Sequence, residues 1–161
     1  ALERAAKFTS FTVSLGKMDS PEPILSETDA KLRSLMPLET VAFLLVNEAD
    51  ASFSMSWCDP AERREWLEKE VANLIDDQTF AWALGRNATV RLVASDGVTR
   101  LLLHPLRTES RVRGMFVGEI RAAANAEIIS DIDNALIGIT LISCARAVES
   151  WNARSGSAPR N

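Results

Sequence analysis

Residues 88–121 read as three β-strands in succession, and a chain that carries them must build an antiparallel sheet. ATVRLVA, TRLLLH and VRGMFVGEI are dominated by aliphatic and β-branched residues, with Ser95-Asp96-Gly97 as the turn between the first two and polar residues 107–111 before the third. A two-residue turn at Asp96-Gly97 pairs Leu92 with Leu101, Arg91 with Leu102, Val90 with Leu103 and Thr89 with His104. Directly opposed residues share a face. One face is then aliphatic (Val90, Leu92, Leu101, Leu103), and the other carries Thr89, Arg91, Leu102 and His104, the only histidine. A three-residue loop with a bulge would exchange the faces. In the third strand Val112, Gly114, Phe116, Gly118 and Ile120 alternate with Arg113, Met115, Val117 and Glu119, and the paired glycines imply close approach of a helix or a ligand.

At 161 residues the chain has the size of one domain with a real core. Hydrophobic residues make up 47% and charged residues 25%, which argues against disorder. A net charge of -4 with scattered arginines argues against nucleic acid as a partner. No apolar run approaches the length of a bilayer span, and the first residues lack a signal-peptide pattern, so no membrane insertion and a cytoplasmic location are expected. Cys58 and Cys144 fall in different predicted elements and read as buried free thiols.

The remaining elements follow from periodicity. Residues 2–15 carry a broad helical stripe that includes Phe8 and Phe11 and starts without a capping residue, as expected of a segment cut from a longer protein. Ser20-Pro21 starts a second helix bearing Leu25, Leu32, Leu35 and Met36, which ends before Pro37. VAFLLV within 38–47 reads as a strand buried on both faces, and residues 52–57 as an edge strand. Asp59-Pro60-Ala61-Glu62 reads as a capped start of a helix burying Leu67, Val71, Leu74 and Ile75; residues 79–85 form a shorter one. Residues 126–151 form the longest helix, with two apolar seams on nearly opposite sides: Ile128, Ile132, Ala135, Ile139 and Ile142, and Ile137, Leu141, Cys144, Val148 and Trp151. One seam can cover the sheet. The other needs a partner, either the first helix with its copy in a homodimer bundle or the interior of a larger domain.

This order of elements, with FAWAL before TVRLV, then LLLHPLRT, RVRGMFVGEI and the final helix containing CARAVES, resembles a GAF domain, a sensory module of bacterial signalling proteins. The resemblance implies an α+β, PAS-related fold: an antiparallel sheet of five or six strands, the terminal helices packed on one face and a ligand pocket on the other. It implies a division into a signalling and dimerisation helix (1–19), the sensory domain (20–151) and a tail or junction (152–161). It further implies a homodimer, a small-molecule ligand, and a covalently linked output domain of the kinase or cyclase type. No Asn-Lys-Phe-Asp-Glu pattern of the cyclic-nucleotide binders is present, and no cofactor is named by the residues.

Candidate ligand residues are an aromatic wall of Trp57, Phe80 and Trp82, with Arg91 for an anionic group, and His104 and Met115 beside it. Aromatic residues at helical spacing equally serve as core, and a lone histidine equally serves structure. His104-Pro105-Leu106-Arg107-Thr108 superficially matches the phosphorylated box of sensor kinases, but the strand-like context and the following proline oppose a helical histidine. The run Glu62, Arg63, Arg64, Glu65, Glu68, Lys69 and Glu70 reads as a solvated helix face. No spacing supports a catalytic constellation, so the expected role is regulatory rather than enzymatic.

Overall fold

The computed structural model describes residues 20–86, 88–122 and 131–156. The elements run α1 (Pro21–Leu35), β1 (Leu38–Val46), β2 (Phe53–Asp59), a 3-10 turn (Ala61–Arg63), α2 (Arg64–Asp76), α3 (Thr79–Leu84), β3 (Val90–Val93), β4 (Arg100–Arg107), β5 (Val112–Ile120) and α4 (Asp131–Gly156). The five strands form one sheet in the order β2-β1-β5-β4-β3, and every adjacent pair is antiparallel.

The hairpin register is the one expected: Val90 opposes Leu103, Arg91 opposes Leu102 and Leu92 opposes Leu101. The connection is longer than a two-residue turn. Val93 opposes Arg100, and the Ala94 amide donates to the Thr99 carbonyl at 2.8 Å, which leaves residues 95–98 as the loop. Gly97 takes a φ of +74°, in the left-handed region that favours glycine. Lengthening the loop by a residue on each side preserves the faces, which is why the alternation survives. Thr89 lies just outside the ladder. Strand β4 continues past His104 through Pro105, where β3 has already ended, so the missing proline amide interrupts no ladder on that side.

The sheet has a core on each face. On one, α1 and α4 cover Leu38, Val41, Phe43, Leu102, Leu106, Phe116 and Ile120, adding Ile24, Leu25, Leu32, Ile137, Leu141, Cys144 and Val148. On the other, α2 and α3 cover Ala42, Leu44, Met55, Leu101, Leu103, Met115 and Val117 with Leu67, Val71, Phe80 and Ala83. Gly114 and Gly118 are crowded by the sheet itself. A Cβ at Gly114 would lie 2.2 Å from the Leu44 carbonyl oxygen, and one at Gly118 would lie 2.7 Å from the Phe116 ring. The expected close approach is therefore by a neighbouring strand and by a ring on the same strand, not by a helix or a ligand.

Helix α1 begins with Pro21 in its first turn and is fastened to the edge strand by charge. Asp29, buried, accepts from Arg33 Nε and from Trp57 Nε1 at 2.8 Å, while Arg33 Nη2 donates to the Asp59 carbonyl at 2.7 Å. Asp59 stays in β2 opposite Val41, so it does not cap the next helix. That correction moves the start of α2 to Arg64, after the 3-10 turn. Helix α4 continues through Gly156. Phe8, Phe11 and Ile128, and the Ile132 side chain, lie outside what is described.

Candidate functional site

Among the described residues, the α2/α3 face of the sheet offers a cleft between a helix and an edge strand. A cleft of about 390 Å³ opens between α2 and the edge strand β2, lined by Leu44, Phe53, Ser54, Met55, Arg64, Glu68 and Val71. Its floor is aliphatic and aromatic because alternate residues of β2 point to that face. Phe53 meets Phe80 edge-to-face, with ring centroids 4.9 Å apart and planes at 77°. Its rim is polar. Arg64 Nε donates to Glu68 Oε1 at 2.8 Å, one helical turn on, and Arg64 Nη2 donates to the Met55 carbonyl. An apolar floor with a few polar groups is the usual composition of a small-molecule site.

Polar ties hold α2 around this cleft. Before the helix, Arg63 grips Glu119 of β5 with both Nε (3.1 Å) and Nη2 (3.0 Å), while Thr40 of β1 donates to the same carboxylate at 2.7 Å. The Arg63 guanidinium also lies 4.0 Å from the Trp66 ring centroid. Farther along, Glu70 is only 6% exposed and accepts from the Ser95 amide at 3.0 Å and from the Ser95 hydroxyl. A buried carboxylate without such donors would be strongly disfavoured. These contacts correct the reading of 62–70 as one solvated face. Glu65 and Lys69 do face water, pairing at 3.6 Å, and Arg64 stays exposed with only its Nη2 on the Met55 carbonyl, whereas Arg63 and Glu70 reach into the structure.

The six ligand residues expected from the sequence do not converge. Phe80 and Met115 lie in the core of the cleft's face. Trp82 is on the same short helix as Phe80 but is 53% exposed, with the Arg86 guanidinium 5.0 Å from its ring centroid. Trp57 opposes Phe43 and joins the α1/α4 core, its indole committed to Asp29. Arg91 opposes Leu102 and His104 opposes Phe116, which puts both on the α1/α4 face, Arg91 exposed and His104 buried. His104 Nδ1 donates to the Pro105 carbonyl at 2.8 Å, and burial lowers its pKa below the ordinary 6.5 against the opposing pull of that bond. The imidazole is therefore a neutral, buried group on the face that α1 and α4 cover.

Neither thiol is primed for chemistry. Burial pushes Cys144 up to about 12, and burial also raises Cys58, with Arg64 opposing. Among the described residues no group of three or more His, Cys, Asp or Glu side chains is placed to hold a metal. No described helix is long and apolar enough to cross a membrane.

No sequence-family model and no curated protein matches the chain. Solved structures do. The GAF domain of a GAF/HD protein from Geobacter sulfurreducens aligns over 86% of this chain and 98% of its own, at 14% identity and a TM-score of 0.63. The GAF domain of a two-component sensor histidine kinase from Bacillus halodurans aligns over 86% and 99%, at 14% identity and a TM-score of 0.60. That of a phosphoenolpyruvate-protein phosphotransferase from Acinetobacter aligns over 100% and 99%, at 7% identity and a TM-score of 0.63. At these identities the shared property is the fold, and the fold is that of a GAF domain.

Proposed function

We propose that this GAF-fold chain is the sensory domain of a bacterial signalling protein. A small molecule held in the cleft between α2 and β2 biases how the sheet packs against α4, and α4 passes that bias to an output domain of the kinase or cyclase type in the same polypeptide. The observation that carries this reading is the asymmetry of the sheet. Among the described residues, one face is covered by α1 and the long α4, while the other is covered by α2 and the six-residue α3 and opens into the α2/β2 cleft. The neighbours from sensor kinases and phosphotransferases supply the signalling context.

The ligand must bind one packing better than the other, because equal affinity shifts nothing. A tenfold shift needs about 1.4 kcal/mol of differential binding. Arg64 and Glu68 are the polar groups in reach of a bound molecule, with Phe53 and Met55 as its apolar contacts and Phe80 and Met115 behind them. Native mass spectrometry of the purified chain tests this: an extra small mass, released by denaturation and diminished by Arg64→Ala, is expected. A bare chain that no small-molecule library stabilises against heat overturns it.

A second reading has its own support. Phe80, Met115, Leu101 and Leu103 fill the middle of the cleft's face. A domain filled in this way serves as a ligandless homodimerisation scaffold, and the bare-chain outcome favours it.

A further inference from the structure

The cleft between α2 and β2 has a strand edge for one wall. Strand β2 is the last strand on its side of the sheet, and among the described residues it pairs with β1 alone. The Asn47 amide donates to the Ser52 carbonyl at 2.7 Å, which sets the alternation along the hairpin. Ser54 therefore exchanges bonds with Leu45, while Phe53 and Met55 turn their backbone N–H and C=O groups away from β1. The Met55 carbonyl bears this out by accepting from Arg64 Nη2 of α2. Ser54 lines the cleft although its side chain alternates away from those of Phe53 and Met55, so the cleft reaches round to the outer edge of the strand. Past Met55 the edge changes. The register slips between Phe43 and Leu44, leaving Ser56 as an extra residue, and the Asp59 carbonyl is taken by Arg33. The regular edge is thus confined to residues 53–55, beside a floor of Leu44, Phe53 and Val71 and below the Arg64–Glu68 pair.

We propose that the ligand of this cleft is a short extended peptide, about three residues long to match the regular edge, which adds to β2 as a further antiparallel strand. Its middle residue exchanges both backbone bonds with Met55. Directly opposed residues share a face, so the side chain of that middle residue falls on the same side as Met55, over the apolar floor. Arg64 is displaced from the Met55 carbonyl by the peptide N–H. Still anchored beside Glu68, the guanidinium takes the free terminal carboxylate of the peptide, which it fits in shape and charge. Every polar group that changes partner in this exchange gains a new one. An apolar ligand would fill the floor and leave the outward amides of Phe53 and Met55 unused, so the edge selects for donors and acceptors at strand spacing. With Arg64 on the Met55 carbonyl, the same charged side chain also shields the edge from pairing with other chains. The inference rests on the assignment of this cleft as the ligand site and names the class of ligand it takes.

Native mass spectrometry and amide hydrogen exchange on the whole 161-residue chain test it. The probe is an equimolar pool of alanine-X-alanine tripeptides in which X is valine, leucine, isoleucine, methionine or phenylalanine. At least one member is expected to bind, to slow exchange at the outward amides of Phe53 and Met55, and to leave the Ser54 amide, already bonded to β1, unchanged. Methylating the nitrogen of X is expected to abolish binding. Converting the terminal carboxylate to an amide is expected to weaken it about tenfold, as for one lost charge-assisted bond, and Arg64→Gln is expected to erase that difference. Equal binding of the N-methylated peptide overturns the proposal. So does a pool that leaves the chain bare while a non-peptide small molecule binds in an Arg64-dependent way, and that outcome leaves the function proposed above standing. A chain that binds neither the pool nor any other small molecule overturns both.

Discussion

Arg113 of β5 donates through Nε to Glu149 Oε2 of α4 at 2.7 Å, and this bond joins the sheet to the long helix. The guanidinium is only 8% exposed and also reaches Glu48 in the β1–β2 turn. Glu149 accepts from the Thr108 hydroxyl at 2.8 Å, so the β4–β5 loop, an inner strand and the helix meet at one carboxylate. A change in sheet geometry therefore has a short physical route to α4.

Glu149→Gln is expected to cost about 1–3 kcal/mol in urea denaturation, because a buried cation loses half its compensation while the remaining partner is half-exposed. Adding Glu48→Gln should cost more than the two single changes summed, since the last anionic contact to Arg113 is then gone. Additive costs would show that Arg113 does not couple the two. The hydroxyl of Thr108 first, and Arg113 second, hold the Glu149 carboxyl below its ordinary 4.5. Its contribution is thus complete above pH 4.5 and is lost as the pH falls through the lowered value.

Glu70→Ala is expected to loosen the β3–β4 loop specifically. It leaves the Ser95 amide without its acceptor at the end of β3, a loss of about 1–3 kcal/mol. Hydrogen exchange at residues 95–98 should accelerate by an order of magnitude or more, with little change in β1 and β5. Uniform acceleration throughout the sheet would instead mark Glu70 as a general core residue.

Phe80 and Trp82 separate core from surface on one short helix. Phe80 is buried against Phe53 and should cost about 3–5 kcal/mol when changed to Ala. Trp82→Ala should cost less than about 1 kcal/mol, as more than half of the side chain already faces solvent. Equal losses in chemical denaturation would contradict the placement of α3.

What the sequence reveals and what it conceals differ in physical kind. Strand alternation is local, so the pairing of Leu92 with Leu101 is legible even though the loop is longer than Asp96-Gly97 alone requires. The inner seam of α4 is legible for the same reason, since Ile137, Leu141, Cys144 and Val148 recur at helical spacing. The partner of a charged side chain is not local. Arg63, Arg64 and Glu70 look like solvent residues because Glu119, the Met55 carbonyl and Ser95 are contributed by other elements. Arg91 and His104 were separable from the aliphatic face by register alone. Which face receives α1 and α4 depends on how the whole chain is wound, and that places both residues away from Phe80 and Met115. The line of the α2/β2 cleft was hidden likewise, because Arg64 and Glu68 look like an ordinary surface pair one turn apart.

His104 gives the fold a pH dependence of definite sign. Burial holds its folded pKa below 6.5, so between that lowered value and 6.5 the unfolded chain binds more protons than the folded one. Stability is then complete above pH 6.5 and declines as the pH falls through the folded value, when a charge would have to form on the face covered by α1 and α4. Urea midpoints measured from pH 8 down to pH 5 should fall for the unmodified chain. They should stay nearly flat for His104→Leu, because no other histidine is present to titrate in that window. A leucine variant that keeps the full slope would assign the effect to another group, and a slope of opposite sign would mean that His104 is charged in the folded protein.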